Sequence, residues 1–178
     1  MNVSEYTDLV EKRLERNFDI ERNINFLNLD IPLFAKMEMF NEKYFASKQV
    51  KVWRAENYEY IFLKDFSTIN EKTIEDFQKF LINALEELVD PHNEHMSSVI
   101  TGVMVTSNFP EDLENKIKKF KHKKIYAFSF KGWAEVRLMV VSLHSNRVIS
   151  NRKGKEVQDF YLPTGIKRKK GIINFFSK

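Results

Sequence analysis

Two histidines in the segment after a predicted helix are the candidate metal ligands of this chain. The segment Asp90-Pro91-His92-Asn93-Glu94-His95 holds two imidazoles and two carboxylates within six residues. Both groups suit zinc and other divalent cations. A closed site needs further ligands from elsewhere, and polar loops after helices often carry such residues only to stay solvated. We therefore keep His92 and His95 as candidates and predict no bound metal or cofactor.

Glu135 and Arg137 are the candidate catalytic residues. They precede a strand, Leu138 to Leu143, that is apolar on both faces, so we expect them where the buried face opens to water. A cleft in which Glu135 meets another carboxylate would support a hydrolase. Candidates for that second carboxylate are Glu38, Glu56 and Glu59. No G-x-S-x-G elbow and no glycine-rich phosphate loop is present, so binding is a better expectation than catalysis.

A run of cations, KIKKFKHKK, precedes four aromatic residues and forms a candidate nucleic-acid surface. Rings on a sheet can stack on bases while lysines neutralise phosphates. Aromatic residues that alternate along a strand also pack in a core beneath a helix, and both interpretations stay open. A protein-interaction or structural domain is favoured if the rings are exposed without a basic rim. The residues are Lys116, Lys118, Lys119, Lys121, Lys123 and Lys124, followed by Tyr126, Phe128, Phe130 and Trp133.

The net charge of +4 conceals a strong asymmetry along the chain. Residues 1–115 carry 12 Lys and Arg against 22 Asp and Glu, whereas residues 116–178 carry 17 against 3. In one interpretation the two parts interleave in one fold and attract each other weakly. In the other, the second part forms a basic face for nucleic acid or another polyanion.

The last twelve residues, KRKKGIINFFSK, form a basic tail with five positive charges and no acid. Ile172, Phe175 and Phe176 have the spacing of an aliphatic residue followed by two aromatics, with Lys169 where a glutamine is expected. This pattern resembles the box by which replication and repair proteins of archaea and eukaryotes bind the sliding clamp. The resemblance implies one helical turn that docks in an apolar pocket. Alternatively, the tail docks back on the domain or touches anionic lipid or nucleic acid.

The spacing of apolar residues predicts the helices and strands that hold the candidate residues in place. Ser4 to Arg16 predicts an amphipathic helix, and residues 18–32 predict a connector without regular structure. Three strands are predicted at residues 33–40, 43–53 and 58–66. A capping box, Thr68 to Glu71, opens a helix that ends at Asp90-Pro91.

The second part of the chain predicts a buried strand, a short helix and two hairpins. Ser98 to Thr106 is apolar, and Gly102 inside it indicates close approach of another element. Pro110 opens the short helix. A tight turn at Lys131-Gly132, where glycine supplies a positive φ, predicts a first hairpin. A turn at residues 144–146 predicts the second, with Arg147 to Asn151 as its returning strand. The first hairpin would pair Phe130 with Trp133, Phe128 with Glu135, Tyr126 with Arg137, Ala127 with Val136 and Ile125 with Leu138.

The element order of helix, three strands, helix and strand resembles the core of the PD-(D/E)XK nuclease superfamily. That resemblance implies a divalent metal held by an acidic residue and a (D/E)-x-K motif on adjacent strands. Glu59-Tyr60-Ile61 lacks the lysine, Glu114-Asn115-Lys116 lies on a predicted helix, and Glu135-Val136-Arg137 has arginine. A degenerate metal-dependent nuclease is therefore the alternative function.

Composition limits the remaining possibilities. The 178 residues fit one α+β domain with a mixed or mainly antiparallel sheet, spanning residues 1–166, followed by the tail 167–178. The absence of cysteine excludes a disulfide framework and thiolate zinc sites. No secretion signal and no membrane span is predicted, which favours a cytoplasmic protein. We expect a binding or accessory protein, with a role in nucleic-acid metabolism as the specific hypothesis.

Overall fold

The chain folds as α+β, with a mixed sheet and helices on both of its faces, which confirms the predicted fold class. The computed structural model describes residues 1–44 and 51–164. Its strands are β1 (Asp19–Phe26), β2 (Leu29–Tyr44), β3 (Lys51–Asp65), β4 (His95–Thr106), β5 (Lys123–Ile125), β6 (Trp133–Ser142) and β7 (Arg147–Ser150). Its α-helices are α1 (Val3–Leu14), α2 (Glu71–Leu88) and α3 (Glu114–Lys119).

The strand order is β1-β2-β3-β4-β6-β5, and β7 also pairs with β6. β1, β2 and β3 form an antiparallel meander, whereas β4 lies parallel to both β3 and β6. β5 and β7 pair antiparallel with the two ends of β6. Residues 138–141 of β6 are buried throughout, as expected for a strand with neighbours on both sides and helices on both faces. The prediction of a central strand here is confirmed.

α2 covers one face of the sheet with an apolar stripe. Ile74, Phe77, Leu81 and Leu85 are buried, as the helical spacing predicts. A Cβ on Gly102 of β4 would lie 2.3 Å from the Leu81 Cδ1, which confirms the predicted close approach. The predicted capping box is wrong in detail. Asn70 is the N-cap and accepts from the Thr73 N–H at 2.8 Å.

α1 and the segment after β7 cover the opposite face. Tyr6, Val10 and Leu14 of α1 are buried against β2, β3 and β6. The Tyr6 hydroxyl donates to the Tyr161 carbonyl at 2.7 Å, and burial raises the pKa of Tyr6. This contact ties two 3₁₀ turns, Gly154–Glu156 and Gln158–Tyr161, to the N-terminal helix.

The first three strands differ from the prediction in their bounds. The predicted connector contains β1, which returns into β2 through Leu27-Asn28, both at positive φ (48° and 63°). Two consecutive residues at positive φ make the tight hairpin turn that Asn-Gly usually provides. Residues 51–53 and 58–65, predicted as parts of two strands, lie together in β3. The polar residues between them did not end the strand.

The first predicted hairpin has the wrong register. Residues 126–132 form the connection in place of a two-residue turn, and Ile125 pairs with Trp133. None of the five predicted cross-strand pairs therefore forms. Ala127, Phe128 and Ser129 have φ of 45°, 53° and 74°, so the chain turns away from the sheet before it reaches Gly132. The second hairpin, β6 to β7 through residues 143–146, is confirmed.

Candidate functional site

A groove lined by cations lies beside α3, β5 and the end of β7. Its volume is about 530 Å³. Six cationic side chains and two carboxylates line it, together with one indole. The cations are Lys118, Lys119, Lys121, Lys123, Arg152 and Lys153, the acids are Glu135 and Glu156, and the indole is Trp133. We call this feature the basic groove.

Asn151, which is buried, fixes the shape of the basic groove. Its Oδ1 accepts from the Leu138 N–H at 3.2 Å and from the Gly154 N–H at 2.8 Å. Its Nδ2 donates to the carbonyls of Val136 at 3.0 Å and Phe120 at 3.3 Å. One amide side chain thus joins β6, the end of α3 and the turn that carries Lys153. No sequence pattern pointed to this residue.

The six predicted nucleic-acid-binding lysines fall into two groups. Three of them contact carboxylates, and two of those three reach acids on α2, as the interleaved interpretation of the charge asymmetry expects. These pairs are Lys116 with Glu71 and Glu75, Lys118 with Glu114, and Lys124 with Glu86. Lys119, Lys121 and Lys123 form no ion pair with any residue that the structure describes. Only these three remain as uncompensated charges of the predicted set.

The predicted aromatic face is divided among three environments. Tyr126 is half-buried against the ring of His95. The Trp133 ring lies between two ammonium groups, at 4.8 Å from Lys123 Nζ and 5.5 Å from Lys153 Nζ. Phe128 and Phe130 are 95 % and 85 % exposed. Neither interpretation of the aromatic run is correct as a whole: the connection after β5 leaves the sheet, so the four rings form no continuous surface on a strand, and Phe128 and Phe130 are not core residues.

Arg137 and Glu135 take part in a linked group of ion pairs on the α1 face of the sheet. Arg137 Nη1 donates to Glu59 Oε1 at 2.6 Å, and Nη2 lies 3.5 Å from Glu156 Oε2. Lys153 Nζ lies 2.6 Å from Glu135 and 2.9 Å from Glu156. Burial raises the pKa of Glu59, although Arg137 and the Thr101 hydroxyl oppose that shift.

The expected meeting of Glu135 with a carboxylate of β2 or β3 does not occur. Glu135 is linked through Lys153 to Glu156, a residue that the sequence did not single out. Glu38 pairs with Lys36, and Glu56 accepts from the Tyr58 hydroxyl at 2.6 Å on the opposite face. Each acid near Arg137 is thus held by a cation, and none is positioned as a free general base.

A family described as a domain of unknown function, DUF8052, matches residues 2–163. The chain belongs to this family. No curated protein and no solved structure matches the chain. The resemblance of the element order to the nuclease superfamily therefore gains no support from known structures. In the parts of this DUF8052 domain that the structure describes, no helix is long and apolar enough to cross a membrane.

His92 and His95 of the DUF8052 domain lie near each other, with ring centroids 6.2 Å apart, without forming a metal site. The two nitrogens of the buried His95 ring are occupied, with Nδ1 at 2.7 Å from the Lys131 carbonyl and Nε2 at 2.9 Å from Ser98 Oγ. His92 Nε2 lies 3.2 Å from Glu56. Across residues 1–44 and 51–164, no three His, Asp or Glu side chains come together to hold a metal ion.

The tail of the chain follows the DUF8052 match. Ile172, Phe175 and Phe176, the predicted partner-binding residues, lie outside the residues that the structure describes. The clamp-binding pattern therefore remains a prediction from sequence.

Proposed function

We propose that this DUF8052 domain is a non-enzymatic protein that binds single-stranded nucleic acid along the basic groove. One observation carries the proposal. Lys119, Lys121 and Lys123 have no carboxylate partner among the described residues, and they lie just before a connection that exposes Phe128 and Phe130. A cationic groove beside exposed rings is the arrangement by which proteins hold single strands without strong sequence preference.

The lysines of the groove and the exposed phenyl rings would bind different parts of the strand. Lysine ammonium groups in the groove neutralise successive phosphates, and binding releases the counterions condensed on the strand. The exposed phenyl rings stack on bases, which are accessible in a single strand and hidden in a duplex. Arg152 also lines the groove and adds positive charge there, whereas Lys153 is paired with Glu135 and Glu156. Single strands are therefore expected to bind more tightly than duplexes of equal length.

The candidate catalytic residues support binding over catalysis. Glu135 pairs with Lys153 and Arg137 pairs with Glu59, so each charge is compensated within the protein. A hydrolase needs a carboxylate or imidazole free to move a proton near pH 7. Nuclease activity would also need a metal site, and the described part of the chain brings no such ligand set together.

Fluorescence anisotropy with labelled oligonucleotides tests the proposal. Single-stranded DNA and RNA of about 16 nucleotides are titrated against the full chain at about 20 mM KCl, beside a duplex of the same length. Lys119→Glu with Lys121→Glu should weaken single-strand binding by about tenfold or more. The matched control is Lys72→Glu with Lys79→Glu, which makes the same charge change on exposed positions of α2. Equal affinity of the two double variants would contradict the proposal.

The C-terminal tail suggests a protein partner that also acts on nucleic acid. We propose that Ile172, Phe175 and Phe176 bind the sliding clamp, on the strength of the sequence pattern alone. A pulldown with the clamp of the source organism compares the intact chain with Phe175→Ala plus Phe176→Ala. Ile173→Ala is the control, because Ile173 lies outside the pattern. Equal retention of all three proteins would reject the clamp as a partner.

A further inference from the structure

A second site is a cavity of about 540 Å³ on the α1 face of the sheet. The sheet forms its floor, and α1 and the two 3₁₀ turns after β7 form its walls. Its walls are mainly apolar, and the apolar lining includes Phe18, Met37, Met39, Ile61, Val99 and Val157. Cavities of this size with apolar walls and a few polar groups are typical of small-molecule sites.

Arg137 lines this cavity, and the edge of its guanidinium formed by Nε and Nη2 is only partly used. The residue is only 6 % exposed. Its Nη1 donates to Glu59, but Nη2 lies at the long distance of 3.5 Å from Glu156, and Nε has no hydrogen-bond partner among the described residues. A buried donor without an acceptor is costly, so native structures rarely keep one.

The edge formed by Nε and Nη2 has the geometry of an anion site. The Nε–H and one Nη2–H of a guanidinium point in parallel, which allows both oxygens of a carboxylate to be bound at once. Glu156 approaches this edge from a 3₁₀ turn, and its side chain is 37 % exposed, so an incoming anion can replace it while Lys153 keeps it paired.

We propose that the cavity binds a small amphipathic anion, with a carboxylate on the Nε and Nη2 edge of Arg137 and an apolar body against Met37, Met39 and Phe18. The inference does not rest on the proposed nucleic-acid function. The cavity lies on the α1 face, whereas the exposed rings and unpaired lysines lie outside it. The two linings share Trp133, Lys153 and Glu156, but Lys119 and Lys121 line only the basic groove and Met39 lines only the cavity, so variants at these three positions test the sites separately.

Displacement of a fluorescent anion from the full chain tests this site. The probe is 8-anilinonaphthalene-1-sulfonate, and the competitors are dodecanoate and the uncharged dodecanol. Dodecanoate should displace the probe at concentrations about tenfold or more below those of dodecanol, because only the carboxylate satisfies the Arg137 edge. Near-ultraviolet circular dichroism confirms that the protein stays folded during the titration.

Two methionine variants distinguish binding in the cavity from binding elsewhere on the surface. Met39→Trp fills the cavity opening, because Met39 lines it and is 36 % exposed. Met96→Trp is the control at an exposed position that does not line the cavity. Met39→Trp should weaken dodecanoate binding by about tenfold, and Met96→Trp should leave it unchanged. Equal displacement by dodecanoate and dodecanol, absence of binding to the folded protein, or equal affinity of the two variants would each overturn the proposal.

Discussion

Arg137 on β6 reaches across β4 and donates to Glu59 on β3 over a distance of 2.6 Å. Both side chains are largely buried, at 8 % and 16 % exposure. The ion pair therefore links three neighbouring strands at the polar end of the α1 face. A buried pair adds little net stability over apolar residues, but removal of one partner leaves an uncompensated charge in the interior.

Removal of the guanidinium should therefore be costly. Arg137→Gln should lower the free energy of unfolding by about 3 kcal/mol, because Glu59 loses its cation in a buried site. The double variant Arg137→Met with Glu59→Met should recover most of that loss, since neither charge then remains. Urea denaturation measures both, with exposed Arg152→Gln as the control. A loss below about 1 kcal/mol for the single variant would show that water reaches Glu59.

The free energy of unfolding should depend on pH through the titration of Glu59. Burial raises its pKa in the folded protein above the unfolded value of about 4.3. The folded state then holds the proton more tightly, so this contribution to stability is complete below the unfolded pKa and is lost as pH rises through the folded pKa. Carboxyl ¹³C NMR titration measures the pKa directly. Glu59→Gln should remove the loss of stability that accompanies ionisation of Glu59 as pH rises. A Glu59 pKa below the unfolded value would contradict the claim that burial raises it.

Gly102 should tolerate no side chain. A Cβ there would lie 2.3 Å from Leu81 Cδ1 and 2.9 Å from Phe77 Cε1 on α2. Gly102→Ala should therefore destabilise the fold by about 1 to 3 kcal/mol through overpacking. Leu81→Ala makes room for the new methyl group, so the double variant should lose less stability than the sum of the two single variants. Strict additivity in thermal or urea unfolding would show that α2 shifts freely away from β4.

The exposed rings should contribute to binding and not to stability. Phe128→Ser with Phe130→Ser should leave the unfolding free energy within about 0.5 kcal/mol of the original, because both rings are exposed. The same change should weaken binding of single strands by about tenfold or more, since a base stacked on a ring contributes about 1 to 3 kcal/mol. Leu27→Ser, at an exposed position of the β1–β2 turn, is the control. If the phenylalanine variant bound single strands with unchanged affinity, base stacking on these rings would be rejected.

Local sequence patterns correctly predicted those elements that depend mainly on their own residues. α2 follows from the spacing of Ile74, Phe77, Leu81 and Leu85, because a helix that buries one face needs that period. The close contact at Gly102 follows from a glycine within an apolar strand. These predictions needed no knowledge of distant contacts.

Features set by distant contacts were missed. Gly132 has positive φ as predicted, yet it packs against the backbone of Met96 and does not close a two-residue turn. Asn151 was predicted only as the last residue of a returning strand, and Glu156 was not assigned to any element, so nothing marked either side chain before the fold brought them to β6. Arg137 was named as a candidate catalytic residue and Glu59 as a possible partner of Glu135, but the ion pair between Arg137 and Glu59, 78 residues apart in the sequence, was not predicted. Long-range polar pairs of this kind are decided by topology.

The salt dependence of single-strand binding reports directly how many phosphates the basic groove contacts. If Lys119, Lys121, Lys123 and Arg152 each neutralise one phosphate, the logarithm of affinity should fall against the logarithm of KCl concentration with a slope of about −3. Lys119→Glu with Lys121→Glu should reduce the magnitude of that slope by about 1.4. Absence of binding at the lowest salt concentration, or an unchanged slope in the double variant, would contradict a role for the basic groove in nucleic-acid binding.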